Sequence, residues 1–234
     1  VYITNYNYGR FIEKAVNSVL SQTFKNYELI IIDDGSSDGS RKIIEKYKKK
    51  NKIKIIYQKN KGLNFSNNVA LKLSRGKYII RLDSDDWLDI HALEILYKSI
   101  KKNDEVGLVF PDYYEVDEHG DFINITRRHD FKKVTLKDQA AHGACTLIRT
   151  DFLKKMGGYN KSFLCQDGYD LWLKFINKYK IKNVNLPLFY YRQHLGSLSK
   201  NTKKLLSTRS KILENRLKKK NFKKKKGIAI IPVR

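Results

Sequence analysis

The spacing of hydrophobic positions changes repeatedly along the first half of the chain. Val1-Tyr2-Ile3-Thr4 reads as the end of a strand, and Phe11, Ile12, Ala15, Val16, Val19 and Leu20 then recur at the spacing of one helical face. Leu29-Ile30-Ile31-Ile32 is continuous, as expected of a parallel strand buried on both faces. The polar run Asp33-Asp34-Gly35-Ser36-Ser37-Asp38-Gly39 after it is a loop. Ile43, Ile44 and Tyr47 mark a second helix, residues 53–57 a third strand and residues 66–74 a third helix. Tyr78-Ile79-Ile80-Arg81-Leu82 predicts a fourth strand that runs straight into Asp83-Ser84-Asp85-Asp86. A helix carrying Leu93, Leu96 and Ile100 and a strand at 107–110 complete four alternations, which predict a parallel sheet with helices on both faces.

Beyond Pro111 the alternation loosens, and this half is where an acceptor site would be built. Residues 113–126 predict a hairpin turning near His119-Gly120. Helices are expected at 151–156 and about 168–179, and separate strands at 184–186 and 189–192. Farther on, Leu205, Leu206, Ile212, Leu213 and Leu217 predict one apolar face on a basic amphipathic helix.

Composition narrows the class. With 234 residues, 41% of them hydrophobic, the chain can bury one sizeable core. Cys145 and Cys165 give neither a disulfide framework nor a metal spacing, which suggests a reducing compartment. No run approaches the roughly 18 apolar residues of a bilayer span. The chain opens without Met and inside a strand, so the natural start is expected a few residues earlier.

The net charge of +24 is unevenly placed: residues 200–226 hold thirteen Lys and Arg against Glu214 alone. Such a segment attracts anionic lipid or nucleic acid, or forms a solvated helix. The expected organisation is a domain over 1–199, a basic helical tail or linker over 200–226, and a new apolar strand over 227–234.

Ligands of open parallel sheets sit outside the carboxyl ends of the strands. Three acidic clusters fall there: Asp33-Asp34, Asp83-Ser84-Asp85-Asp86, and Asp167 with Asp170 at the start of a later helix. In extended chain Asp83 and Asp85 point the same way and Ser84 the other. Mg²⁺ or Mn²⁺ needs only one or two such carboxylates, the rest of its shell being water and phosphate oxygens.

Several separate motifs then agree in order. Thr4-Asn5-Tyr6-Asn7, the helix from Phe11 to Gln22 with Thr23-Phe24, and ELIIIDDGSSD at 28–38 resemble family 2 glycosyltransferases of the GT-A fold. The similarity continues through Asn60-Lys61-Gly62, Asn68, Gly76-Lys77-Tyr78 and RLDSDDWLD at 81–89. It resumes at Gln166-Asp167-Gly168-Tyr169-Asp170-Leu171-Trp172 and at Tyr191-Arg192-Gln193-His194 with Ser197 and Ser199, so it covers residues 1–199. The resemblance implies an α/β, Rossmann-like nucleotide-diphospho-sugar transferase fold with a mixed, mostly parallel central sheet. Residues 227–234 resemble the opening strand of nucleotide-sugar cytidylyltransferases, which would make them the start of a second enzyme; a terminal strand is the other possibility.

The resemblance also assigns roles. Thr4, Tyr6, Asp33 and Asp34 would hold the nucleoside, with Lys61 in the donor site and Asp83 on the ribose. Asp85 would bind the Mn²⁺ or Mg²⁺ that bridges the diphosphate, and Arg192 and His194 would close over it. Asp167 would be the general base of an inverting transfer, although an Asp there also suits a helix N-cap. His142, Gly143 and Trp172 fall in the expected acceptor region. Two departures stand out: Gln166 replaces the acid before the base, and Ser66-Asn67-Asn68 replaces Ala-Arg-Asn.

The implied donor is a nucleotide sugar and the acceptor a glycan or lipid-linked glycan, in surface polysaccharide or lipopolysaccharide assembly. The setting would be the cytoplasmic face of the plasma membrane, with the basic tail on anionic lipid. A nucleotidyltransferase should carry a Gly- and Arg-rich loop after its first strand, and residues 4–10 do not. A nucleic-acid-binding module should present basic strand ends, whereas these are acidic, so no nucleic-acid partner is expected.

Overall fold

A computed structural model of the chain describes residues 1–127, 143–163, 165–197 and 200–225, with side chains described as far as residue 218. The first half follows the apolar runs. Strand β1 (Tyr2–Asn5) leads to α1 (Gly9–Leu20), β2 (Leu29–Asp33) to α2 (Ser40–Glu45), and β3 (Ile53–Tyr57) to α3 (Leu63–Leu73). Then come β4 (Tyr78–Asp83), the two-residue β5 (Trp87–Leu88) and α4 (Ala92–Lys101). Helix α3 starts three residues before the expected 66 because its inner face carries Asn64, Ser66 and Asn67, which interrupt the apolar period.

The second half departs further from expectation. Strand β6 (Val106–Val116) runs through Pro111 and pairs with β7 (Phe122–Thr126). β8 (Leu147–Arg149), α5 (Thr150–Lys155) and α6 (Asp167–Phe175) follow. β9 (Lys180–Arg192) is one strand where two were expected, and α7 (Thr202–Lys225) is the last helix described. Pro111 and Pro187 suggested breaks, but β6 and β9 absorb them together. The parallel β6–β9 ladder shifts register on both sides of Asp112, which sits opposite Pro187, so the missing N–H groups fall at an irregularity.

The sheet order is β3-β2-β1-β4-β8-β6-β9-β5, with β7 against β6. β1 pairs in parallel with β2 and β4, β2 in parallel with β3, and β6 in parallel with β9. β8 is antiparallel to both of its neighbours, so the sheet is mixed, as expected. Alternation along the strands divides the core between the two faces. Ile3, Leu29, Ile31 and Leu82 pack with α1 and α4, while Tyr2, Ile30 and Ile32 pack with α3 and α6.

Helix α7 is docked on this second face through Ile212, which is 1% exposed. The five apolar residues expected on one face divide into two stripes, because consecutive helical residues stand about 100° apart. Leu205 and Ile212 turn inward, whereas Leu206, Leu213 and Leu217 are exposed. Residues 227–234 lie outside the described residues.

Candidate active site

The ladder that builds the sheet also gathers the site. Register places Asn5 beside Asp33 and Thr4 beside Asp83 at the carboxyl ends of β1, β2 and β4. A cleft of about 530 Å³ opens above them, lined by Thr4, Tyr6, Asp34, Asp83 and Asp85. Its other walls include Gly143, Gln166 and Asp167 and, from α7, Lys204 and Leu205. Each of the three acidic clusters therefore contributes to one cavity, through Asp34, through Asp83 and Asp85, and through Asp167 at the start of α6.

At its centre stands Arg81. Its guanidinium pairs with Asp83 (Nε to Oδ1, 2.8 Å) and donates through NH1 to Oδ2 of Asp167. The arginine side chain is 5% exposed, which makes this a buried cation between two carboxylates. Burial pushes the Asp83 carboxyl up to about 6 against the opposing pull of Arg81, with Asp85 and Asp167 adding to the rise. β4 ends at Asp83, and the Asp86 N–H returns to the Asp83 carbonyl at 3.1 Å. A turn therefore brings Asp83 and Asp85 to the cleft, not the extended alternation expected, and Ser84 is buried at the cleft wall.

Asp33 and Asp34 are buried for different ends. Asp33 is fully enclosed and accepts from Asn5 Nδ2 (3.1 Å), Arg41 Nε (3.0 Å) and the Ser36 N–H (3.3 Å). It thus braces the loop and does not line the cleft, whereas the resemblance implies a nucleoside contact for it. Asp34 reaches the cleft wall but also clasps the following loop, accepting from the N–H groups of Lys61 (3.0 Å) and Gly62 (2.8 Å) and from Gln58 Nε2 (2.6 Å).

Gly35 makes that clasp possible. It has φ +83°, and a Cβ on it would stand 2.6 Å from the backbone nitrogen of Asn60. Gly35→Ala is expected to destabilise the fold by about 2–4 kcal/mol, from left-handed strain plus a forced backbone shift. Denaturant unfolding checks this, and a loss under about 0.5 kcal/mol would contradict the clasp.

Other expected site residues sit away from the cleft surface. Lys61 contributes its backbone to Asp34, while its Nζ lies 4.5 Å from the Phe65 ring centre. Arg192 is buried: Nε donates to the Asp85 carbonyl (3.0 Å), NH1 to the Glu118 carbonyl (2.6 Å), and its guanidinium lies against Phe11 and Trp87. His194 is 3% exposed, packed on Tyr8 and Phe11. Its Nδ1 accepts from the Gly196 N–H at 3.2 Å, which leaves the ring proton on Nε2, 3.0 Å from Asp85 Oδ2. Both residues thus brace the Asp85 turn and do not line the cleft, whereas the resemblance implies that they close over the diphosphate.

Trp172 is fully buried against Phe110 within the core, whereas the resemblance places it in the acceptor region. His142 lies outside the described residues, as does Ser199. Ser66, Asn67 and Asn68 hold structure: Ser66 receives Gln58, Asn67 receives the Tyr2 hydroxyl, and Asn68 exchanges two hydrogen bonds with the Tyr159 backbone.

One part of the site escaped the sequence reading. Arg81 was passed over as one residue of an apolar strand, although a charge inside a strand buried on both faces demands a partner. The basic helix is expected either to lie on a membrane or to dock on the domain; α7 docks, and it lends Lys204 and Leu205 to the cleft wall. Arg209 of α7 donates to the Gln166 side chain at 3.1 Å, and the Cys165 thiol meets Thr208 Oγ1 at 3.2 Å. Gln166 holds a left-handed backbone (φ +59°) immediately before Asp167.

Comparison with known proteins agrees with this geometry. The chain is 32% identical over 219 residues to the Escherichia coli UDP-Glc:alpha-D-GlcNAc-diphosphoundecaprenol beta-1,3-glucosyltransferase WfaP, covering 92% of this chain and 85% of that protein. It is 32% identical over 189 residues to an E. coli chondroitin synthase, covering 79% of this chain but only 27% of that protein. Among solved structures, S. aureus TarS 1-349 in complex with UDP-GlcNAc aligns at TM-score 0.71 and 22% identity, over 86% of this chain and 60% of that one. The mannosyltransferase PcManGT of Pyrobaculum calidifontis, in complex with GDP-Man and Mn²⁺, aligns at 0.72 and 15%, over 93% and 63%. These two share the GT-A fold described above. The family model for glycosyl transferase family 2 matches residues 1–157, more than half the sequence, and the chain belongs to that family.

Proposed function

We propose that the chain transfers a sugar, with inversion, from a nucleoside diphosphate sugar to an acceptor hydroxyl during assembly of a cell-surface glycan. The observation that supports this best is the meeting of Asp83, Asp85 and Asp167 in one cleft of a family 2 glycosyltransferase. The acceptor oxygen attacks the anomeric carbon as the bond from that carbon to the diphosphate oxygen breaks, and the nucleoside diphosphate leaves with the electron pair. Asp167 takes the hydroxyl proton. Its Oδ2 is held by Arg81, which leaves Oδ1 for that proton. A single displacement inverts the anomeric configuration.

The acids fit a divalent cation. Asp85 lines the cleft with Oδ2 on the His194 N–H, so Oδ1 is left for an ion. Burial, with Asp85 and Asp83 nearby, drives Asp86 well above the usual carboxylate range, which leaves Asp83 and Asp85 as the acids of this turn that line the cleft. No cluster of three metal-ligating side chains occurs among the described residues, which suits an ion taking one or two carboxylates and completing its shell with water and phosphate. Bound at Asp85, Mn²⁺ or Mg²⁺ would stabilise charge on the leaving diphosphate.

WfaP is named for UDP-Glc and a diphosphoundecaprenol acceptor, and TarS was crystallised with UDP-GlcNAc. A UDP-sugar and a lipid-linked acceptor are therefore the first choices here. The experiment is release of nucleoside diphosphate from UDP-glucose, UDP-N-acetylglucosamine and GDP-mannose, with and without Mn²⁺ or Mg²⁺. Divalent-dependent release from one donor supports the proposal, and folded protein that neither binds nor turns over any of them overturns it.

The lipid-linked acceptor implies work at the cytoplasmic face of a membrane. No helix among the described residues is long and apolar enough to cross one. Leu206, Leu213 and Leu217 instead form an exposed stripe on α7 beside its lysines, suited to anionic lipid. Co-sedimentation is expected with phosphatidylglycerol vesicles and not with phosphatidylcholine, falling at least tenfold when the three leucines become Ser. No binding to either vesicle type would remove the membrane from this reading, and equal binding to both would remove the role of the lysines.

A further inference from the structure

We infer that Arg81 is a positioning residue for the transfer, its buried guanidinium fixing the base carboxylate Asp167 relative to the donor-side carboxylate Asp83. The inference rests on Asp167 acting as the base, as proposed above.

The guanidinium joins two carboxylates that arrive from opposite halves of the chain. Asp83 lies two residues away at the end of β4, whereas Asp167 lies 86 residues away at the start of α6. Nε and NH2 address Asp83, at 2.8 and 3.3 Å, and NH1 addresses Asp167. A planar fork that hydrogen-bonds through NH1 and NH2, with Nε in ion-pair contact, fixes the direction of both acids, which a flexible ammonium would not. Among the described residues, Arg81 is the only cation in an ion pair with Asp167.

The surroundings prevent the pair from moving apart. A Cβ on Gly143 would collide with Asp167 Oδ2 and stand 3.4 Å from Arg81 NH2, so the Gly143 backbone lies directly on the bridge. The next turn is tied to the same strand, the Cys145 N–H donating to the Arg81 carbonyl at 2.7 Å. Tyr2 and Tyr159 share a hydroxyl contact of 3.3 Å nearby, and burial keeps both phenols protonated. Gly143 was expected near the acceptor; in this arrangement it also explains why no side chain fits there.

Charge neutralisation alone would explain a buried arginine, but it would not require one fork to hold both acids. The two roles separate in a double-mutant cycle. Donor turnover is measured with Mn²⁺ on UDP-glucose and UDP-N-acetylglucosamine, and UDP affinity by calorimetry. The proteins are wild type, Arg81→Met, Arg81→Lys, Asp167→Asn and each Arg81 variant combined with Asp167→Asn.

If Arg81 acts through the base, Arg81→Met lowers kcat at least 100-fold when Asp167 is present and less than threefold when it is already Asn. UDP affinity changes by the same factor in both backgrounds, because that effect runs through Asp83. Arg81→Lys, which keeps the charge and loses the fork, recovers less than threefold of the lost kcat, whereas a tenfold recovery would reduce Arg81 to a neutralising charge. Equal kcat losses in both backgrounds, or Arg81→Met with wild-type kcat, would overturn the positioning role and leave the base assignment standing. Asp167→Asn with wild-type turnover would sink the base assignment itself. Should Arg81→Met not fold, the Lys variant carries the same cycle, since it keeps the charge and loses the fork.

Discussion

Asp167→Asn is expected to reduce transfer about 10³-fold while leaving UDP binding within a few-fold of wild type, because a positioned general base contributes roughly 10² to 10⁴. The substitution is nearly isosteric and keeps an oxygen facing Arg81. It leaves the buried guanidinium with Asp83 as its remaining acid, so stability should also fall, by about 1–3 kcal/mol. Circular dichroism and calorimetry with UDP separate these effects. A folded variant with normal nucleotide affinity and lost turnover identifies the residue that moves the proton. Turnover within tenfold of wild type would assign Asp167 to the N-terminus of α6 alone.

A comparable loss is expected at Asp85, with a different signature. Asp85→Asn keeps an acceptor for the His194 N–H, so the turn after β4 should hold its shape. The negative charge available to a cation is lost, and divalent-dependent UDP affinity should fall at least tenfold, with kcat down about 10²-fold. Asp85→Ala is the poorer probe, since it also strands a buried imidazole proton. If Asp85→Asn keeps the wild-type gain in UDP affinity with Mn²⁺, the cation is held elsewhere.

The sequence made the first half of the fold legible because each parallel strand there is a continuous apolar run closed by polar loop residues. Leu29–Asp33 and Tyr78–Asp83 differ from their expected limits by one residue each. β6 and β9 were less legible because proline ordinarily marks the end of a strand, and only a partner with a matching irregularity allows it inside. For the site, type and order of the acids could be read, but not burial. Asp33, Arg192 and His194 carry the chemistry expected of ligand-binding groups and yet face protein partners. Arg81 is the reverse case, since its position in an apolar strand was visible and its two partners were not. Composition leaves the docking of α7 open, because lysines dominate it; the buried Ile212 and Thr208 decide it.

The span between Arg81 and Asp167 also bears on how the molecule is made. A nascent chain completes β1 to β4 long before α6 leaves the ribosome, and β9, which pairs with β5 and β6, comes later still. Until then the emerging half-domain holds a guanidinium with one of its two acids and a sheet edge without its neighbours. Contacts so distant in sequence close slowly. The cleft is thus among the last parts to assemble, and an incompletely synthesised chain exposes edges that chaperones would have to shield.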